Sequence, residues 1–238
     1  MRRGRPWVLM YHAVEPYRDD PLLVCVSPAR FEEQMAWLAH RGLRGVSMRD
    51  LRSAISGGRG RGLVGLTFDD GYAGFLSHAL PVLARHGFSA TVFAVADRLG
   101  GRNDWDEGPH RALLTASDLA EVAAQGMEVG SHGMTHARLT RLAPEQIAAE
   151  VENSRELLRD TTGAAVEGFS YPYGAHDSRA VSAVEKAGYE YACTVFAGRE
   201  NGRFLIPRAF VGERDRVARL TAKRVVSRLN LRRQPAVA

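Results

Sequence analysis

Short β-rich apolar runs alternate with amphipathic stretches along most of this 238-residue chain. The first run, WVLMYHAV (residues 7–14), is almost continuously apolar, as a strand covered on both faces should be. The stretch that follows, SPARFEEQMAWLAHRG (27–42), reads as a helix: Ser27 suits the cap, Pro28 the first helical position and Gly42 the exit. LRGVSM leads in the same way into RDLRSAI, and LVGLTFDDG into FLSHALPVLARHG. FSATVFAV precedes TASDLAEVAAQG, where Thr115 and Asp118 are spaced as a capping box. MEVGSHG precedes APEQIAAEVENSRELLRDTTG, and VEGFSYPYG precedes DSRAVSAVEKAG, with Asp177 at the expected helix start. YEYACTVFAG and FLIPRAFVG complete the strands before a basic stretch at the end.

Seven or eight strands separated by helices predict either a β/α barrel or a doubly wound sheet. The polar positions choose between them. His12 follows VLMY, Asp69 and Asp70 follow LVGLTF, His132 follows MEVGS and Tyr173 follows GFSYP. Reactive side chains therefore stand at the C-terminal ends of separate strands, which share one mouth in a barrel but lie along a line in an open sheet. The expected fold is α/β, a distorted (β/α) barrel of seven or eight strands forming a single domain over residues 1–238.

Composition adds limits. A 45% hydrophobic, 25% charged chain of this length can bury one substantial core. Cys25 and Cys193 are too few and too far apart for a disulfide framework or a CxxC zinc site, so any metal relies on histidines and carboxylates. The net charge of +5 is concentrated in GGRGRG (57–62) and in residues 214–233, which is not a nucleic-acid-binding surface. A terminal helix at about 213–233 would gather Val217, Leu220, Val225 and Leu229 near one face, with Arg216, Arg219, Lys223 and Arg228 largely elsewhere. It reads as a docking helix with a solvated basic face or as a peripheral contact with an anionic membrane. The start of the chain reads as carrying no leader, and no window reaches the roughly 18 apolar residues of a membrane span. The expected location is the cytoplasm or the inner membrane face.

Two motifs carry chemistry. In LTFDDGY (66–72), adjacent carboxylates at a strand end have diverging side chains, so one can hold a cation while the other remains a base. A turn in which Asp70 caps the next helix is the plainer alternative. In GSHGMTHARL (130–139), His132 and His136 are four apart, so on a helical turn both rings reach one ion, and Gly130 and Gly133 allow close backbone approach. Joined to a strand-end aspartate they form a two-His-one-carboxylate set with coordination positions open to water and substrate.

TFDDG, SHGMTH and YPYG in this order resemble the polysaccharide deacetylases of carbohydrate esterase family 4, over about residues 7–212. The resemblance implies a metal-dependent hydrolase removing N-acetyl groups from an N-acetylhexosamine-containing polysaccharide, oligosaccharide or glycolipid, with the N-acetylated sugar as its partner. It implies Asp69 as base, Asp70, His132 and His136 as metal ligands, and Tyr173 as the residue whose backbone N–H helps hold the oxyanion. Zinc is the expected ion, and Co2+, Ni2+ or Mn2+ also suit the set. Two features depart from the common pattern. No histidine occurs in FLIPRAFVGERD, where many relatives carry their acid, but YHAV is similar to the N-terminal motif of the exopolysaccharide branch, which implies His12 as the acid. Ser170 stands where many relatives have the arginine that pairs with the base, and Arg208 is the expected replacement. Trp105 and Asp106, in a loop over the mouth, together with Tyr72 and Pro172, are candidate substrate contacts, and His176 is a spare acid. His40, His78, His86 and His110 are expected to be exposed. A deformylase or cyclic-imide hydrolase on the same barrel, and a non-catalytic carbohydrate binder, are the alternative activities.

Overall fold

The structure, a computed structural model, describes residues 7–195 and 202–229. Its first apolar run folds as β1 (Trp7–Tyr11), buried throughout. That run does not continue as one strand to Val14. It breaks at His12, and β2 (Ala13–Val14) pairs instead with β3 (Cys25–Val26) in a separate two-stranded sheet. The chain continues through α1 (Pro28–His40), β4 (Arg44–Val46), α2 (Met48–Ser56), β5 (Leu63–Phe68), α3 (Leu80–Arg85), β6 (Thr91–Ala94) and α4 (Ala116–Ala124). Then come β7 (Glu128–Ser131), α5 (Pro144–Thr162), β8 (Gly168–Ser170), α6 (Ser178–Lys186), β9 (Tyr191–Thr194), β10 (Ile206–Pro207), β11 (Ala209–Phe210) and α7 (Val217–Leu229).

Local signals in the sequence set the helix ends. Ser27 Oγ accepts from Arg30 N at the start of α1, and Thr115 and Asp118 form a reciprocal capping box on α4. FLSHALPVLARHG is not one regular helix: residues 75–79 form a π-type turn ahead of α3, where Pro81 has no N–H to offer Ser77.

All strands of the main sheet are parallel, in the order β10-β9-β8-β7-β6-β5-β1-β11, with β4 paired to β5. β10 and β11 are two halves of one terminal strand interrupted at Arg208. Ile206 and Pro207 pair with β9, Ala209 and Phe210 pair with β1, and Arg208 N donates to Thr194 O at 3.1 Å. The sheet thus closes on itself through Arg208. Counting the terminal strand once gives eight staves, and the distortion lies at β5, whose one edge is shared by β4 at residues 63–65 and β6 at residues 67–68.

Strand alternation decides what the barrel encloses. Leu9 on β1, Val92 on β6, Val129 on β7 and Phe169 on β8 join the large core beneath the helices. Val8, Phe93, Tyr191 and Cys193 form a second cluster with Val46, Met48 and Leu51, filling the barrel. Gly130 makes room there: a Cβ would come within 2.6 Å of the Phe93 ring.

α7 docks differently from the expectation. Among the described side chains of its expected apolar row, Leu220 is buried while Val217 and Val225 are exposed, and Lys223 turns inward to donate to Phe210 O and pair with Asp215. Asp215 and the carbonyls bound by Gln34 fix the segment that precedes the helix. The Leu229 side chain and residues 230–233 lie outside the described set. Among the described residues, no helix is long and apolar enough to cross a membrane.

Candidate active site

Inward positions spaced by two bring the polar side chains of the strand ends together. Thr67 and Asp69 succeed each other inward from β5, Glu128, Gly130 and His132 from β7, and Gly168 and Ser170 from β8. Arg208 enters from the interrupted terminal strand, fully buried. Its Nη1 donates to Asp69 Oδ1 at 2.6 Å and to Thr67 Oγ1 at 3.1 Å, and its Nη2 donates to Asp69 Oδ2 at 2.7 Å and to Ser170 Oγ at 2.8 Å. A bidentate guanidinium–carboxylate pair of this kind fixes both position and charge. Burial alone would raise the Asp69 carboxyl, but the Arg208 guanidinium outweighs it and holds the group below the usual carboxylate range.

Asp70 points elsewhere. Its backbone is left-handed, with φ of 71°, and the side chain faces His132 Nε2 and His136 Nε2, each 3.4 Å from Oδ1. One donor atom from each of these three buried residues lies within 4.8 Å of the others. The two histidines are not on a helical turn, as their spacing suggested. They stand on an irregular loop wound around Glu150, whose carboxylate accepts from Met134 N (2.8 Å), Thr135 N (3.1 Å) and Thr135 Oγ1 (2.5 Å). Gly133 and His136 both take positive φ there, 82° and 65°.

A cation fits this set on the structure's own terms. His132 Nδ1 lies 2.8 Å from Ser170 O, a carbonyl that can only accept, so Nδ1 carries the proton and Nε2 presents a lone pair. Asp70 Oδ1 is buried with no hydrogen-bond partner. A bare imidazole nitrogen and a bare carboxylate oxygen facing each other out of water are compensated by a divalent ion between them. Electrostatics agree: burial drives His132 down to about 4, which leaves the ring neutral at neutral pH. For Asp70, burial works upward, but the contact with His136 and the nearby His12 prevail and hold the carboxyl below the usual carboxylate range.

The remaining candidates divide. His12 is half-buried at the break between β1 and β2, its ring 6.0 Å from that of Phe210 and its Nδ1 without a partner. Tyr173 has φ of 59°, an unusual conformation for a bulky residue, and its ring lies 4.6 Å from that of His136. Its hydroxyl donates to Asp106 Oδ1 at 3.1 Å. Trp105 stacks on His136 at 4.4 Å between centroids, so the loop over the mouth rests on a proposed ligand. Tyr72 and Pro172 are enclosed beside the site. Both are buried: Tyr72 packs with Ala13, Cys25 and Leu113, and Pro172 lies beneath Gly133. Trp105 of the mouth loop rests against the same cluster as Tyr72. His176 is tied to Gly174 O through Nδ1. His78 and His86 are only partly exposed, the latter resting against Phe88.

Three contributors were not identified from the sequence. Thr67 and Ser170 steady Arg208, and the alternation that turns Asp69 inward marks Thr67 as inward too. Glu150 left a different signal, a carboxylate on the apolar face of α5 beside Ile147, Val151 and Leu158.

Comparisons with known proteins agree with this arrangement. Residues 56–192 match the family described as Polysaccharide deacetylase. YxkH of Bacillus subtilis, provisionally named a polysaccharide deacetylase, is 28% identical over 209 residues, spanning 86% of this chain and 70% of the relative. The poly-beta-1,6-N-acetyl-D-glucosamine N-deacetylase of Escherichia coli is 26% identical over 251 residues, 87% of this chain but only 37% of that protein's length. Among solved structures, a polysaccharide deacetylase from Bacillus cereus superposes with a TM-score of 0.78 at 26% identity, covering 93% of this chain and 69% of the other.

Proposed function

Because the chain belongs to the polysaccharide deacetylase family, we propose that it is a metal-dependent de-N-acetylase acting on a glycan that contains N-acetylhexosamine. The observation that carries this reading is the convergence of Asp70, His132 and His136 beside an independently held carboxylate, Asp69. A binding module has no use for a second, ionised carboxylate clamped next to its metal ligands.

Asp70 Oδ1 and the Nε2 atoms of His132 and His136 would hold the cation, zinc by expectation, with cobalt, nickel and manganese also suited to these donors. Bound there, it would polarise the acyl carbonyl and acidify a water molecule. Asp69 accepts the water's proton, and Arg208 keeps that carboxylate ionised and pointed at the site. The left-handed turn at Tyr173 offers its backbone N–H to the oxyanion that develops on the acyl oxygen. Amide cleavage expels a poor leaving group, and His12 protonates the departing nitrogen from the mouth end of β1. Trp105 and Asp106 form the rim the sugar meets. The Escherichia coli relative's name supports poly-β-1,6-N-acetylglucosamine or a similar exopolysaccharide as substrate.

Acetate release from N-acetylglucosamine oligomers, measured on chelated and on zinc-restored protein, tests the proposal. Release only from the restored protein is expected. Formate from a formamide sugar, or opening of a cyclic imide, without any acetate would redirect the reading to another C–N bond. No turnover of any of these by zinc-loaded protein would end the enzymatic reading.

A further inference from the structure

Six large apolar side chains are exposed among the described residues, and three of them, Val217 (48%), Val225 (49%) and Val226 (38%), lie on α7. At 3.6 residues per turn, Ala218, Ala222, Val225 and Val226 fall within an arc of roughly 100° on the side opposite Leu220, which among the described side chains of the helix is the one buried in the core. The outward face is therefore apolar through its middle. Arg219 lies at one edge of that arc, 61% exposed at its side chain, and Arg216 is exposed just before the helix.

Charge completes the pattern. Between residues 214 and 233 the sequence has Arg214, Arg216, Arg219, Lys223, Arg224, Arg228, Arg232 and Arg233 against one acidic residue, Asp215. Asp215 is turned inward, pairing with Lys223 and, at 3.7 Å, with Arg219, and donated to by Gly212 N, which leaves Arg214 and Arg216 as exposed cations without that acid. An apolar outer stripe bordered by Arg219, with exposed Arg214 and Arg216 just before the helix and the only carboxylate of the segment turned inward, matches the chemistry of an anionic bilayer surface: acyl chains beneath, phosphates at the level of the guanidinium groups. A protein partner of ordinary surface composition would not call for so one-sided a charge.

We propose that α7 is a docking helix for an anionic lipid bilayer, lying in the plane of the interface with Ala218, Ala222, Val225 and Val226 toward the acyl chains. The helix is tied to the barrel mouth. Lys223 Nζ donates to Phe210 O, and the Phe210 ring packs beside His12. The proposal does not depend on the deacetylase reading, and its test uses no turnover.

Cosedimentation of the full chain with vesicles of phosphatidylcholine containing phosphatidylglycerol, and with pure phosphatidylcholine vesicles, reads the binding. Binding to the anionic vesicles alone, weakened by high salt, is expected. Val225→Asp with Val226→Asp should weaken it by on the order of tenfold or more, since two apolar anchors become charged. Arg216→Glu with Arg219→Glu should weaken it to a comparable degree, and Leu157→Asp, an exposed apolar position on α5, should not. All of these side chains are exposed, so unchanged circular dichroism is expected in each variant, and an unchanged melting temperature in all but the Arg216/Arg219 pair, where Arg219→Glu removes a 3.7 Å partner of Asp215 and lowers it slightly. Four results would overturn the proposal: no binding to anionic vesicles at low salt, equal binding to neutral vesicles, full binding by the Val225/Val226 variant, or loss of binding in Leu157→Asp to the same extent. Light scattering showing a dimer that this variant breaks, with no vesicle binding, would assign the face to a second copy of the chain.

Discussion

Glu128 and Asp70 are both carboxylates buried inside one barrel, Glu128 near its floor and Asp70 at its mouth, and their surroundings differ in kind. Glu128 Oε1 accepts from Tyr191 Oη at 2.8 Å, and Oε2 accepts from Thr91 Oγ1 at 2.6 Å and from Arg49 N at 2.8 Å. Every one of these donors is neutral, and burial lifts the Glu128 carboxyl above its ordinary value. Asp70 Oδ1 has no donor and faces two imidazole nitrogens. The floor satisfies its acid within the chain, whereas the mouth leaves one incomplete. Backbone strain follows the same division. Of the four non-glycine residues with positive φ among those described, Asp70, His136 and Tyr173 are at the mouth, and Leu23 lies in a loop.

Removing a mouth ligand should have the largest effect. His132→Ala is expected to abolish both zinc binding and acetate release, as read by metal content and product assay, with the fold retained by circular dichroism. Arg208→Ala attacks the second mouth carboxylate. It leaves Asp69 buried and uncompensated, so denaturant unfolding should show a loss of about 3–5 kcal/mol, and turnover should fall with it. Asp69→Asn separates the two effects: activity lost, zinc content near normal.

His12→Ala should retain zinc and lower kcat by roughly 10²- to 10⁴-fold, the usual range for an acid–base group. Wild-type turnover by this variant would remove His12 from the mechanism. At the floor, Glu128→Gln should leave zinc binding and turnover near wild type. The pH behaviour sharpens the contrast further. Because the folded-state value of Glu128 is raised above 4.5, its contribution to stability is fully present below that pH and is lost as pH rises through the raised value. Denaturation curves across this window should show that slope in the wild type, and Glu128→Gln should flatten it.

How far the sequence foretold this arrangement depends on which interaction fixes each part. WVLMY and LVGLTF carry their strand character in their own composition, and Thr115 with Asp118 carry a local cap, so these were legible. The barrel followed from where the polar residues stood. What escaped depends on pairing between distant segments. Nothing local says that β1 must stop at His12 so that Ala13 can meet Cys25, or that the last strand changes partners at Arg208. The HxxxH spacing suggested a helical turn, but the loop's path is set by Glu150, on the next helix. On α7, apolar spacing gave the helix but not the direction its stripe faces, which Asp215 and Lys223 decide.

On the proposed function, the donors at the mouth, unlike those at the floor, are arranged to hold a divalent cation. Isothermal titration of zinc into metal-stripped protein tests it most directly. The account predicts one equivalent bound by the wild type and none by Asp70→Ala or His136→Ala, while Glu128→Gln binds as the wild type does. Wild-type protein that binds no zinc, or an Asp70→Ala variant that binds it unchanged, would contradict it.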